Sequence, residues 1–288
     1  MLTTPLHTRT VEMAAGAALL MALTGCQSVD DLLKSAPKPS ARVTAAHLQD
    51  LTLEHAALVF DVEVRNPYTV ALPLVEGGYA LGTGGERLAA GRVAPAGSIP
   101  ASGAKTLQVP VRVEFRSLFS AAKSVRPGSV LPYTADVDVG VDAPVVGRLN
   151  LPVSYKGELP VPAVPEASLA AFEIGALTFD KVSATAKVRV KNTNQFDLDL
   201  GKLALGLQLG GKEVARTSAI AGTKLAPGQS TNVEVPVSFS PRAFGVGVFT
   251  LLRGNEAGYV LSGALEAGTR FGPITLPLDA RGSTPISR

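Results

Sequence analysis

The chain has one cysteine, no tryptophan and three histidines in 288 residues, and aromatic residues make up only 5% of it. A single cysteine excludes an intramolecular disulfide and any zinc or iron–sulfur site held by cysteine pairs. So few histidines leave little for a metal centre or a general base. Basic residues are scattered singly (Arg65, Lys105, Arg148, Lys187, Arg216) and never form a block. The net charge of +3 and pI near 9.0 therefore give no electrostatic footprint for nucleic acid. Apolar runs are short as well. The longest, residues 13–23, is too short to cross a hydrocarbon core of about 30 Å, but it has the length of a signal-peptide apolar region and follows His7 and Arg9.

The cysteine stands directly after that run, in Leu23-Thr24-Gly25-Cys26. A branched apolar residue, two small residues and a cysteine resemble the lipobox of bacterial lipoproteins. The resemblance implies cleavage before Cys26, acylation of its thiol and amine, and a bacterial envelope location. Gln27, where aspartate would resemble an inner-membrane retention signal, points to the outer membrane, with the domains facing the periplasm. A multiply acylated residue also meets the physical requirement that stable anchoring takes more than one chain. Residues 1–25 are then the signal peptide and residues 26–42 the lipidated N-terminus and tether. Its KSAPKPSAR stretch has nothing to bury and reaches on the order of 3 Å per residue.

Beyond the tether the chain is written twice. VEVRNPYTVALPLVEGGYALGTGGERLAA from Val62 aligns without a gap with VRVKNTNQFDLDLGKLALGLQLGGKEVAR from Val188, an offset of 126 residues. The same offset pairs Thr52 with Thr178, Asn66 with Asn192, Val109-Pro110-Val111 with Val235-Pro236-Val237, and Tyr133 with Tyr259. Near the end it slips by one, so that Gly157 meets Gly282. Two homologous domains follow, residues 43–157 and 169–282, with a proline-rich linker at 158–168 and a short tail at 283–288. The linker is expected to be a semi-rigid spacer.

Each copy reads as all-β. Leu58, Phe60, Val62 and Val64 alternate with Val59, Asp61, Glu63 and Arg65, and Ala184, Ala186, Val188 and Val190 alternate with mostly charged residues. A period of two puts the apolar set on one face of a half-wet sheet. Two tandem immunoglobulin/fibronectin-III-like antiparallel β-sandwiches are the natural packing. One segment per copy departs from alternation: Leu118, Ala122 and Val125, and Phe244, Val248 and Leu251, fall at helical spacing, predicting one short helix across an open end of each sandwich. Gly245 and Gly247 weaken the second, at about 1 kcal/mol each if inside a helix. Pro110 and Pro236, inside strand patterns, belong on edge strands.

An alternating strand ending in Val64-Arg65-Asn66-Pro67, a Leu-Pro pair, a Gly-Gly turn, and a late helix leading into Leu131-Pro132-Tyr133 resemble the late embryogenesis abundant type 2 family, also called the water stress and hypersensitive response domain. Both copies carry the resemblance. The second has Asn192-Thr193 in place of Asn-Pro and Gly258 in place of Pro132. Asn66, Pro67 and Asn192 are read as turn residues that close a strand and start a loop, and Tyr133 and Tyr259 as half-buried core or corner tyrosines. The resemblance implies non-enzymatic protection of proteins or membranes under desiccation or osmotic stress, with lipids or client proteins as partners. Two further readings stay open: a lipid-handling module with an apolar groove between the sheets, and an envelope scaffold that binds a partner along a strand edge.

Catalytic and cofactor chemistry is not expected. His47 and His55 are read as surface residues, and the Gly-rich segments as hairpin turns without the lysine and helix of a phosphate loop. Asp136, Asp138 and Asp142 share a strand face, but a calcium site needs six or more oxygens gathered by a loop.

Overall fold

The computed structural model describes residues 37–121, 125–144 and 147–288. In the first domain, β1 (Ser40–Leu51), β2 (His55–Arg65) and β6 (Ala104–Glu114) form one antiparallel sheet in the order β1-β2-β6. The facing sheet runs β4-β3-β7-β8, from β3 (Leu72–Thr83), β4 (Glu86–Val93), β7 (Val130–Ala143) and β8 (Gly147–Pro160), and the two-residue β5 (Ser98–Ile99) pairs with β3. The second domain repeats the plan. Here β9 (Glu166–Leu177), β10 (Val182–Lys191) and β13 (Ser230–Phe239) face β11 (Leu198–Leu209), β12 (Lys212–Leu225), β14 (Glu256–Thr269) and β15 (Gly272–Ser287). Its two sheets join where Ile286 and Ser287 pair in parallel with Phe172 and Glu173. Three strands against four in this order is the fibronectin-III arrangement expected from the alternation.

The period-two pattern decides which face is buried. Phe60, Val62 and Val64 are fully buried, as are Ala186, Val188 and Val190 at the equivalent positions. Their odd-numbered or even-numbered neighbours face outward, so a slip of one residue would bring Asp61 and Glu63 into the core. Pro110 and Pro236 lie on β6 and β13, each the outermost strand of its sheet, where a missing N–H leaves no ladder bond unmade. Pro132 is on the interior strand β7, but beyond its last pair with β3, which ends at Gly82↔Thr134. The Gly84-Gly85 and Gly210-Gly211 turns have positive φ at both residues, the geometry that suits a two-residue hairpin between twisted strands.

Both short helices are present. α1 (Phe115–Ala121) buries Phe115 and Leu118, and α2 (Val246–Arg253) buries Val248 and Leu252. Leu252, rather than Leu251, is the fully covered residue of α2. Gly245 is not inside the helix: with φ 84° and ψ 176° it turns the chain from a 3-10 turn (Pro241–Phe244) into α2. That conformation is open essentially to glycine alone, so the residue that weakens the helical pattern is the one that starts it.

The two domains meet end to end. The Asp50–Thr52 turn of the first domain lies near Gly201, Gly268 and Pro273 of the second. Residues 159–162 are buried, not a free spacer. Gly128 donates to the Val161 carbonyl at 2.7 Å and accepts from the Gln195 N–H at 2.7 Å, and Arg270 pairs with Glu158 at 2.7 Å.

Candidate functional site

Asn66 ends β2 with a buried side chain, 3% exposed. Its Oδ1 accepts from the Tyr68 N–H at 2.9 Å, and its Nδ2 donates to the carbonyls of Val70 at 2.8 Å and Pro100 at 2.9 Å. Asn192 does the same work 126 residues later. Its Oδ1 accepts from the Asn194 N–H at 2.9 Å, and its Nδ2 donates to the carbonyls of Phe196 at 2.8 Å and Leu225 at 3.0 Å. In each copy one amide therefore fastens the loop after β2 or β10 to a segment more than 30 residues further along the chain. Pro67 follows the first amide with no equivalent after Asn192, so the amide, not the proline, is what the rim requires. These residues are turn organisers whose polar atoms are spent within the protein.

Asn194 adds a third connection in the second domain. Its Oδ1 accepts from the Ala163 N–H at 2.7 Å, and its Nδ2 donates to the Ala163 carbonyl at 3.2 Å. The linker is thus bound as a backbone pair by one side chain, and Thr193 Oγ1 donates to the Val164 carbonyl at 2.9 Å beside it.

His47 is exposed and pairs with Asp61 at 3.0 Å. His55 corrects the expectation of a surface residue: it is 9% exposed, because the Asp50–Thr52 turn folds over it from one side and Arg112 of β6 reaches it from the other. Its Nε2 lies 2.9 Å from Asp50 Oδ2, and its Nδ1 lies 3.1 Å from Thr52 Oγ1 and 3.0 Å from Arg112 Nη2. A carboxylate, an imidazole and a hydroxyl in line are the parts of a nucleophile triad. The donors decide otherwise. The Arg112 N–H occupies Nδ1, the position that would take the hydroxyl proton, and Thr52 Oγ1 already accepts from the N–H groups of Glu54 and His55. Thr178 repeats this turn in the second domain, accepting from the Lys181 N–H at 2.9 Å, with Lys181 where the first domain has histidine. The threonine is a turn residue in both copies. Arg112 also donates to Glu114 at 2.5 Å, and this hydrogen bond holds the Glu114 carboxyl below its ordinary value against a smaller opposing effect of desolvation. The spacing of Asp50, Thr52 and His55 in sequence carried a signal for this cluster; Arg112 carried none, since it arrives through strand pairing.

Tyr133 and Tyr259 are buried, at 5% and 7% exposed, more deeply than the sequence suggests. Tyr133 is paired across strands with Gly157, and Tyr259 with Gly282. A Cβ at Gly157 would lie 2.6 Å from the Tyr133 ring, so the glycine is the seat of the ring. This explains why both residues recur in both copies. Burial pushes the Tyr133 phenol up to about 12, with a smaller contribution from Tyr155.

The two copies differ where β4 and β12 end. β12 has 14 residues, whereas β4 stops after eight at Val93, and the chain crosses over as Ala94-Pro95-Ala96. Gly77 stands where the second domain buries Leu203. The result is a cleft of about 350 Å³ between the sheets, with Val93, Leu107, Val109, Val137 and Val139 among its walls. Lys105 Nζ lies at its rim, donating to the Ala96 carbonyl at 3.1 Å. In the second domain β12 continues past the same point, and Thr217 Oγ1 donates across to the Pro236 carbonyl at 3.3 Å.

Asp136, Asp138 and Asp142 are exposed along the outer face of β7. Among the described residues no three His, Cys, Asp or Glu side chains converge as a metal-binding group. Among them, too, no helix is long and apolar enough to cross a membrane. Cys26, Leu23, Thr24 and Gly25 lie outside the described residues.

Fold and site together define a class: tandem fibronectin-III-like sandwiches whose recurrent polar residues build the scaffold. Comparison with known proteins makes this specific. The late embryogenesis abundant protein (LEA_2) family matches residues 61–157 and again 187–282, and the chain belongs to that family. It is 32% identical over 138 residues to a desiccation protectant protein Lea14 homolog of Glycine max, covering 48% of this chain and 91% of that one. Against a protein of Arabidopsis thaliana described as a probable desiccation-related protein LEA14, identity is 31% over 134 residues, or 46% of this chain and 89% of the relative. The solution structure of an Arabidopsis thaliana protein matches at 31% identity over 44% of this chain and 84% of that one, with a TM-score of 0.37. Each relative thus has the length of about one of the two copies.

Proposed function

We propose that this protein acts without turnover as a stress protectant, shielding proteins or membranes during water loss, and that it does so at a bacterial envelope, held there by lipid on Cys26. The observation that carries the protective reading is the pair of family domains, similar over nearly the whole length of relatives described as desiccation-related. The anchoring reading rests on Leu23-Thr24-Gly25-Cys26 after an apolar run. The two parts are tested separately. Metabolic labelling with a fatty-acid analogue should mark the native chain and spare Cys26→Ser, and the label should sediment with the outer membrane; a soluble, unlabelled native chain would end the anchoring claim. Protection is measured by drying a labile enzyme with the mature protein or with an inert β-sandwich of equal mass. Equal losses in both would remove the protective claim.

The cleft of the first domain favours a second reading, that of a lipid-handling module. A slot walled by Val93, Leu107, Val109, Val137 and Val139, with Thr106, Gln108 and Asp138 also lining it and a lysine at its rim, has apolar surface for an alkyl chain and a cation for an anionic head. Native mass spectrometry of the Cys26→Ser protein should then find a co-purifying amphiphile, and a mass equal to the bare chain counts against this reading.

A further inference from the structure

The end-to-end order leaves the two helix-bearing poles in different situations. The α1 pole of the first domain lies beside the linker, where Gly128 bonds to Val161, whereas the α2 pole of the second lies away from it. β1 starts at the opposite end of the molecule, where Ser40 pairs with Arg65 beside the Asn66 rim. Both poles expose apolar side chains, Phe119 of α1 being 39% exposed, but they differ in composition. At the offset of 126 residues, Phe179 replaces Leu53 and Val246 replaces Ser120. Phe179 is 41% exposed and Val246 67% exposed. Phe179 and Phe249 meet edge to face with centroids 5.6 Å apart. The Arg242 guanidinium lies 5.6 Å from the Phe179 centroid and Arg253 lies 4.8 Å from that of Phe249, so the four side chains form a strip of cation, ring, ring, cation. Arg242 is paired with Asp180 at 2.8 Å, while Arg253 and the exposed Lys181 have no ion pair among the described residues. The Arg242 N–H, donating to the Phe179 carbonyl at 3.3 Å, ties the aromatic turn to the 3-10 turn.

From this strip we infer that the α2 pole is a docking surface for an anionic phospholipid bilayer. Rings at the surface with arginines alongside suit the level of lipid headgroups, where the aromatic body is buried and the cation meets phosphate. A second copy of the same cap would oppose like charge with like charge. Because β1 begins at the far end, a molecule held by its N-terminal segment presents this cap away from its own anchor, toward an opposing membrane. The surface chemistry does not depend on acylation of Cys26, and the test keeps the two apart.

The chain has no tryptophan, so Val246→Trp in the mature Cys26→Ser protein supplies a single reporter at an exposed position, and Val70→Trp, on the opposite rim, supplies a control. With vesicles of phosphatidylcholine plus phosphatidylglycerol the emission of the first should shift to the blue, reverse in high salt, and stay unchanged with phosphatidylcholine alone. Adding Arg253→Gln should weaken partitioning about five-fold, and Phe179→Ser should weaken it further. No shift with anionic vesicles, an equal shift at position 70, or a shift that grows with protein concentration in the absence of vesicles would each overturn the proposal.

Discussion

Asn66 and Asn192 show how much one buried amide can determine. Each closes a two-residue turn through its oxygen and holds carbonyls from two separate loops through its nitrogen. Alanine at Asn192 would leave the carbonyls of Phe196 and Leu225 buried and unpaired, whereas the carbonyls freed by alanine at Asn66 belong to the exposed Val70 and Pro100. Asn192→Ala should lower unfolding free energy by about 2–4 kcal/mol in urea, and Asn66→Ala by less, because the carbonyls it frees can turn to water. Tyr133 gives a pH signature at the same scale. Its phenol is raised from 10.0 to about 12 by burial, so the folded state resists an ionisation that the unfolded chain undergoes freely. The stabilising preference is whole below pH 10 and is lost as pH rises toward 12. Tyr133→Phe should flatten the alkaline decline of stability in that window, with one phenol fewer titrating late by ultraviolet absorbance.

At the scale of elements, the prolines of β6 and β13 deny an N–H to the open edge without disturbing the paired side. Pro110→Val restores that donor on a strand of high β-propensity. Folding stability should stay within about 0.5 kcal/mol, while light scattering should reveal concentration-dependent association through the freed edge. Pro236→Val should associate less, since Thr217 of β12 already covers the Pro236 carbonyl. The helices follow a similar economy. Each places two apolar residues over the end of a sandwich, and the glycine before α2 takes a conformation no other residue accepts without strain.

At the scale of the molecule, the joint is what turns two domains into one arrangement. Asn194 grips both polar groups of Ala163, and Gly128, with φ 88°, bonds to both the linker and the second domain. A Cβ at Gly128 would lie 2.7 Å from the Thr193 carbonyl oxygen. Asn194→Ala and Gly128→Ala should both expose residues 161–165 to protease and broaden the distribution of interdomain distances in small-angle scattering. The alanine at Gly128 should also carry a strain on the order of 1–3 kcal/mol.

The sequence by itself determined the strands, their buried faces, the two copies and the family. An alternation of Leu58, Phe60, Val62 and Val64 with polar residues forces a half-buried strand whatever its partners are, and a fixed offset of 126 residues needs no structure to be seen. It also singled out Asn66, Asn192, Pro110 and Pro236, because turn and edge chemistry is local. Only the tertiary structure decided what converges. His55 is buried because Arg112 arrives from a strand 57 residues away. The cleft exists because β4 ends early beside Gly77, and the linker is held because Asn194 reaches back 31 residues to Ala163. Such encounters are set by strand order and domain docking, which a period of two residues does not encode.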